Sequence, residues 1–214
     1  MLYHLGEHNS LANQFLHELR DRHIQQDRTR FRRNMEMLGS IMAYEISKEM
    51  IYHPCVVNTP LGEKTIPVLH YQPVLITVLR AGMPYFQGFL NFFNQADCGF
   101  IGAYRQENSA DIAITLEYLA SPSLEGREVI LIDPMLATGH SFIKSLEALG
   151  KRGTPSHLHI AALVAAPEGI QYVQKHIKTS YSLWTFAVDE KLDEQFYIVP
   201  GLGDAGDLSF GEKI

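Results

Sequence analysis

The fold class that this sequence predicts is α/β: a mostly parallel central sheet with helices packed on both faces. Three observations lead to it. Between residues 74 and 188, short runs of aliphatic and β-branched residues alternate with amphipathic stretches of helical length, the rhythm of β-α-β units. The 214 residues suit a single domain over 1–214 with one large core. Hydrophobic residues at 46% and charged residues at 20% are ordinary globular values, which excludes wholesale disorder.

Residues 1–52 read as an N-terminal helical extension. From Arg30 to Met50 the apolar residues Phe31, Met35, Leu38, Ile41, Met42 and Ile46 recur at three- and four-residue steps, which predicts an amphipathic helix. Asp27 or Thr29 supplies its cap. "HPCVVNTPLGEK" interrupts the pattern with Pro54, Pro60 and Gly62 and reads as a turn-rich link. "VLITVL" (74–79) is a buried strand, and "RAG" turns the chain into a helix over "MPYFQGFLNFFNQ", where Pro84 is tolerated in the first turn. "CGFIGAY" (98–104) is a strand, and "IAITLEYL" (112–119) is one arm of a hairpin or flap spanning about 104–122. "EVILID" (128–133) is the clearest strand, followed by the helix "SFIKSLEALGKRG", closed by Gly150 or Gly153. "HLHIAALVA" (157–165), "EGIQYVQKHI" (168–177) and "YSLWTFAV" (181–188) continue as strand, helix and strand. Ligands of such sheets bind at the carboxyl ends of the strands, so "RAG", "DPMLATGHS" and "AAPEG" are the loops that matter.

The N-terminal stretch lacks the cationic start and apolar core of a signal peptide, and no run reaches the ~18 apolar residues of a membrane span. Cys55 and Cys98 form no C-x-x-C pair. A cytoplasmic protein with no membrane contact is expected. The net charge of −6 argues against a nucleic-acid binder. Residues 20–33, with six arginines and two aspartates, carry +4 and leave −10 for the remainder; a solvated helix face or subunit contact explains them better than a phosphate patch, since no aromatic platform accompanies them.

In "VILIDPMLATGHSF" (129–142) a buried strand ends on Asp133 and opens into small and hydroxyl-bearing residues. At a strand's carboxyl end Asp133 can accept from ribose hydroxyls or hold Mg²⁺ through water. Ala137, Thr138, Gly139, His140 and Ser141 lead into a helix N-terminus, where free N–H groups and the helix dipole favour an anion. The stretch thus reads as a sugar-phosphate clamp, and equally as an ordinary strand–helix joint whose Thr and Ser cap the helix. It is neither a P-loop nor a G-x-G-x-x-G dinucleotide site.

The stretch resembles the phosphoribosyl-pyrophosphate-binding motif of type I phosphoribosyltransferases, most closely that of the uracil phosphoribosyltransferase family. "VLRAG" (78–82), "YRQE" (104–107), "LVAAPEGI" (163–170) and "YIVPGLGDAGDLSFG" (197–211) are similar to that family in order and spacing. The resemblance implies a central sheet with a β flap, or hood, and transfer of the phosphoribosyl group of phosphoribosyl pyrophosphate to uracil, giving UMP and pyrophosphate, with Mg²⁺. It implies that Arg80, Ala81 and Gly82 form the pyrophosphate loop and that Arg105 meets the donor from the flap. Asp133, Pro134, Met135, Leu136, Ala137, Thr138, Gly139, His140 and Ser141 become the donor clamp. Ile198, Gly203, Asp204 and Ala205 become the uracil contacts, Asp204 also facing the donor, with no protein residue singled out as a direct metal ligand. Arg80, Arg105, Asp133 and Asp204 are the candidate catalytic residues.

The chain departs from the family at His140 (usually Gly), at Met83-Pro84 after "RAG", at Leu208 (usually basic), at "FGE" in place of "FGT", and along "QENSADIAITLEYLAS" after Arg105. Those departures leave two alternatives: a non-catalytic sensor of UMP or the donor, and a same-fold enzyme acting on another base. The apolar stripe of the helix over 30–50 calls for a cover, and with the resemblance it implies a homodimer or larger homo-oligomer.

Overall fold

Strand β4 (Val74–Leu79) and strand β7 (Glu128–Ile132) are buried along nearly their whole lengths, as the interior strands of a parallel sheet covered on both faces must be. The computed structural model describes residues 1–105 and 114–212. In chain order these form β1 (Leu2–His4), α1 (Leu11–Arg20), α2 (Arg28–Ser47), β2 (Tyr52–Thr59), β3 (Gly62–Leu69), β4, α3 (Gly82–Phe92), β5 (Asp97–Arg105), β6 (Ile114–Ala120), β7, β8 (Met135–Leu136), α4 (His140–Leu149), β9 (His157–Ala161) and β10 (Val164–Ala165). They continue as α5 (Pro167–His176), β11 (Tyr181–Thr185), β12 (Ala187–Val188), β13 (Lys191–Leu192), β14 (Ile198–Val199) and α6 (Ala205–Phe210).

Seven strands make the main sheet in the order β1-β11-β9-β7-β4-β5-β6. All neighbours are parallel except β5 and β6, which pair antiparallel. Alternation along β4 sends Leu75 to one face and Val74, Ile76 and Val78 to the other. The first face is covered by α2 and α3, the second by α4 and α5. This is the predicted α/β architecture.

Four expectations need correction. The N-terminal segment is not wholly helical, because Leu2–His4 adds a parallel edge strand beside β11, with Tyr3 stacked on Trp184 at 3.8 Å. The "turn-rich link" is a regular hairpin, β2 against β3, with Pro54 opposite Pro67. A two-stranded ribbon has only edges, so each proline's missing N–H can face outward. The expected strands 157–165 and 181–188 each break near the sheet's end, and their last residues form with β8 a separate parallel sheet, β12-β10-β8. The apolar stripe of α2, finally, is covered within the chain: Phe31, Met35, Leu38, Met42 and Ile46 are buried. Backbone-to-backbone approach to α3 at Gly39 and Gly88 makes this possible, since a Cβ on Gly88 would lie 2.1 Å from the Glu36 carbonyl oxygen. Asp27 is the cap, accepting from the Thr29 and Arg30 amides.

Candidate active site

Each parallel strand delivers a loop to one edge of the sheet. After β4 the chain passes through Arg80 and Ala81 directly into α3. Gly82 admits no side chain, because a Cβ would stand 2.2 Å from Thr77 Oγ1, the hydroxyl that donates to the Ile132 carbonyl. That contact fixes the "RAG" turn beside the end of β7, where Asp133 emerges. Pro84 is buried in the first turn of α3, where its missing N–H would have had no intrahelical acceptor.

Asp133 Oδ1 accepts from the Met135 amide at 3.2 Å. Burial drives its carboxyl up to about 7, with the Met135 hydrogen bond pulling weakly the other way. Burial disfavours the charged form until a cation or hydroxyl donors arrive. Pro134, Met135 and Leu136 then run into β8, which pairs with β10, and Thr138 Oγ1 accepts from the His140 amide at 3.4 Å. Gly139 is the cap of α4 with φ +81°. It needs glycine twice over, because a Cβ would also meet the Gly169 carbonyl oxygen at 2.9 Å. The Ser141 and Phe142 amides belong to the first turn of α4, whose donors lack intrahelical acceptors. The His140 imidazole lies flat on Tyr172, ring centroids 4.1 Å apart.

The "GDAGD" stretch faces the "RAG" turn. Arg80 Nη2 donates to Asp207 Oδ1 at 2.9 Å and to the Gly211 carbonyl at 3.3 Å. A Cβ on Gly206 would lie 3.8 Å from that of Ala81. Asp204 caps α6, its Oδ1 accepting from the Asp207 amide. Gly203 has φ +89°, Ile198 and Ala205 are buried, and the Gly201 turn closes so tightly on Ile198 that a Cβ would come 2.1 Å from its carbonyl oxygen. A cavity of about 680 Å³ is lined by Gln25 to Arg28, Leu202 to Asp204, Asp207, Leu208 and Glu212. Asp133 and the 138–141 loop lie outside that lining. Arg105 ends β5; its side chain, and residues 106–113 of the stretch expected to form a flap, lie outside the described residues.

Two arginines of 20–33, Arg20 and Arg32, are half-buried and tie distant segments of the chain together, which corrects the expectation of a solvated face or subunit contact for them, whereas Arg30 is exposed, as expected. Arg20 forks onto Asp189 at 2.8 and 2.9 Å and donates to the Gly201 carbonyl, while Asp189 accepts from the Gly201 amide. The pair therefore holds the turn that precedes Gly203. Arg32 donates to the Ser209 carbonyl at 2.8 Å. Arg30 binds Glu18, and its guanidinium, then the Asn34 amide, holds the Glu18 carboxyl at about 2. Neither Arg20–Asp189 nor the packing of Gly169 and Tyr172 on the 136–140 loop was readable from motifs. The position of "AAPEG" after a strand was the only pointer to the second.

Among the described residues no three His, Cys, Asp or Glu side chains gather as a metal cage, and no helix is long and apolar enough to cross a membrane. The donor set that is present, Asp133 and Asp204 at loops facing the ligand edge, fits an ion held mainly by substrate phosphates, reached from the protein directly or through water.

A mostly parallel sheet whose strand ends carry a glycine-capped loop, a half-buried acid and a facing glycine-rich loop is an α/β architecture with its candidate site at the carboxyl ends of the strands. The family model described as uracil phosphoribosyltransferase matches residues 7–212. Relatives under that name include one from Porphyromonas gingivalis, 46% identical over 212 residues, covering 99% of this chain and 98% of the relative. Another from Streptomyces coelicolor is 36% identical over 213 residues and 99% of both chains. A solved structure, the AQ2163 protein from Aquifex aeolicus, superposes with a TM-score of 0.88 at 29% identity, covering 99% of this chain and 98% of that one. The chain belongs to the uracil phosphoribosyltransferase family.

Proposed function

We propose that the chain transfers the phosphoribosyl group of phosphoribosyl pyrophosphate to uracil, releasing pyrophosphate and UMP, in the cytoplasm. The observation that carries the reading is the joining of the "RAG" turn to the "GDAGD" loop through Arg80 and Asp207, beside the strand end that presents Asp133. A base-side loop and a pyrophosphate-side turn are thereby held as one wall.

Bond breaking at the ribose C1 runs ahead of bond making, so positive charge grows on the sugar and negative charge on the leaving pyrophosphate. The protein's task is then positioning and electrostatic stabilisation. The first-turn amides of α4 and the Thr138 and Ser141 hydroxyls receive the 5′-phosphate. Asp133 accepts from the ribose hydroxyls, and its carboxylate faces the carbon on which positive charge develops. Arg80, turning from Asp207, forks onto pyrophosphate oxygens, joined by Arg105. Mg²⁺, when bound with the donor, neutralises pyrophosphate charge. Backbone groups at Ile198, Gly203 and Ala205, with Asp204, match the O2, N3–H and O4 edge of uracil and leave cytosine's reversed pattern unpaired, a strong means of rejection.

The test is UMP formation from uracil, donor and Mg²⁺, with cytosine and hypoxanthine in parallel; turnover with uracil alone is expected, and silence with uracil from folded protein would overturn the reading. Arg80→Gln keeps a hydrogen-bonding head but loses charge and fork. It is expected to raise the donor KM about tenfold or more while leaving the KM for uracil within about twofold, since charge-assisted bonds contribute roughly 1.5–3 kcal/mol.

We also propose a homo-oligomer. With the α2 stripe covered, the support comes instead from the β2–β3 hairpin, which among the described residues pairs only with itself and exposes Val56, Leu61 and Ile66, Leu61 completely. Sedimentation at micromolar concentration is expected to show a dimer or larger species, and Val56→Lys with Ile66→Lys to shift it toward monomer; a monomeric wild type would refute this.

A further inference from the structure

We propose that Tyr172 is a positioning residue for the 5′-phosphate, holding the loop 137–140 against α5 through a three-ring stack, His140–Tyr172–His176. The proposal rests on the reading of that loop as the phosphate site and names what keeps it in place.

Tyr172 lies between two imidazoles. His140 packs on one side at 4.1 Å between centroids and 25° between planes, and His176 at 4.0 Å and 29°. The outer ring is itself anchored: His176 Nδ1 lies 2.7 Å from the Tyr172 carbonyl oxygen, and since a carbonyl only accepts, that nitrogen carries the proton. Residues 169, 172 and 176 fall on one face of α5 by helical spacing, and all three serve the same contact. Gly169 lets the helix approach until a Cβ would stand 2.3 Å from the Ala137 carbonyl oxygen. The Tyr172 side chain covers Gly139, its Cδ1 only 3.2 Å from where a Cβ would be.

The geometry also shows what His140 does in a loop built of small residues. As the first residue of α4, it contributes its backbone to the anion site while its imidazole is drawn off to Tyr172. The stack therefore sets the orientation of the peptide units on either side of Gly139, whose left-handed conformation has to be maintained when the loop is empty. Without the ring of Tyr172, the loop is expected to sample other conformations and to recover the binding geometry only at a cost in phosphate affinity.

The experiment compares wild type, Tyr172→Leu, Tyr172→Phe, His140→Ala and the double variant His140→Ala/Tyr172→Leu, by calorimetric titration with UMP and by steady-state kinetics, with melting curves to confirm folding. Tyr172→Leu is expected to weaken UMP binding and raise the donor KM about 3- to 10-fold, the scale of lost ring contacts, with kcat within about twofold. Tyr172→Phe keeps the stack and should match wild type. In the His140→Ala background the Tyr172→Leu effect should shrink by at least about half, as coupling between touching side chains requires. Unchanged UMP affinity in folded Tyr172→Leu, a Phe variant as impaired as Leu, or an undiminished effect in the His140→Ala background would each overturn the positioning role while leaving the functional reading intact. A wild type that binds no UMP would overturn the functional reading, and this proposal with it.

Discussion

Gly169→Ala is expected to lower kcat/KM for phosphoribosyl pyrophosphate by about 100-fold, the cost of displacing binding groups by roughly 1 Å. The added Cβ would lie 2.3 Å from the Ala137 carbonyl oxygen and 2.8 Å from that of Leu136. Both are backbone atoms and cannot swing aside, so either α5 retreats or the phosphate loop is pushed off its seat. Intrinsic propensity points the other way, since alanine is favoured over glycine in a helix by about 1 kcal/mol; the steric contact has to outweigh it. Gly150→Ala is the control. Gly150 is helical, with φ −56°, and a Cβ there meets nothing within 4 Å, so the same substitution should leave activity unchanged. Donor titrations with melting curves on the two variants check this, and equal donor kinetics in both would show that the contact between α5 and the loop does not matter.

The positions whose substitution matters most divide by how far their reasons lie along the chain. Strands β4 and β7 were legible because burial on both faces leaves an unbroken aliphatic run. The amphipathic α2 was legible because its apolar residues repeat every three or four positions. The hairpin β2–β3 was not: its strands are largely exposed, so no apolar alternation survives, and Pro54, Pro60 and Gly62 read as breakers. The breaks after Ala161 and Thr185 were equally hidden, because residues 158–166 stay buried through the bend and the apolar run carries no mark of it. The loops of the site showed as motifs, and the structure brings "RAG" and "GDAGD" into contact. What holds the loops did not show. Arg20 and Asp189 meet across most of the sequence, and Gly169 serves a carbonyl on another element; neither has a local pattern, only a partner supplied by the fold.

Asp133→Asn should separate activity from stability. The folded carboxyl titrates near 7, raised by burial, whereas in the unfolded chain it titrates at about 3.9. Between those values the folded state holds a proton that the unfolded state has released. This group's contribution to stability is therefore fully present below about pH 4 and is lost as pH rises through about 7. Asparagine carries no such dependence and keeps an oxygen to accept from the Met135 amide. The interval from about 3.9 to about 7 corresponds to ~4 kcal/mol at pH 8. Because Asp133 is only half-buried, about half of that is expected, so the variant should be more stable than wild type by on the order of 2 kcal/mol, or roughly 4–8 °C in Tm, with the advantage vanishing near pH 4. Catalysis should move in the opposite sense. Donor hydroxyls are accepted by the ionised carboxylate, so kcat/KM for the donor in wild type should climb with pH to a plateau above about 7, whereas Asp133→Asn should lie about 100-fold lower and lack that rise, two charge-assisted bonds being worth roughly 3 kcal/mol together. Other groups titrate in the same range, so the informative quantity is the difference between the two profiles rather than either alone. A variant both less stable at pH 8 and equally active would mean that Asp133 is an ordinary solvated carboxylate, and that the strand end at 133 does not meet the sugar.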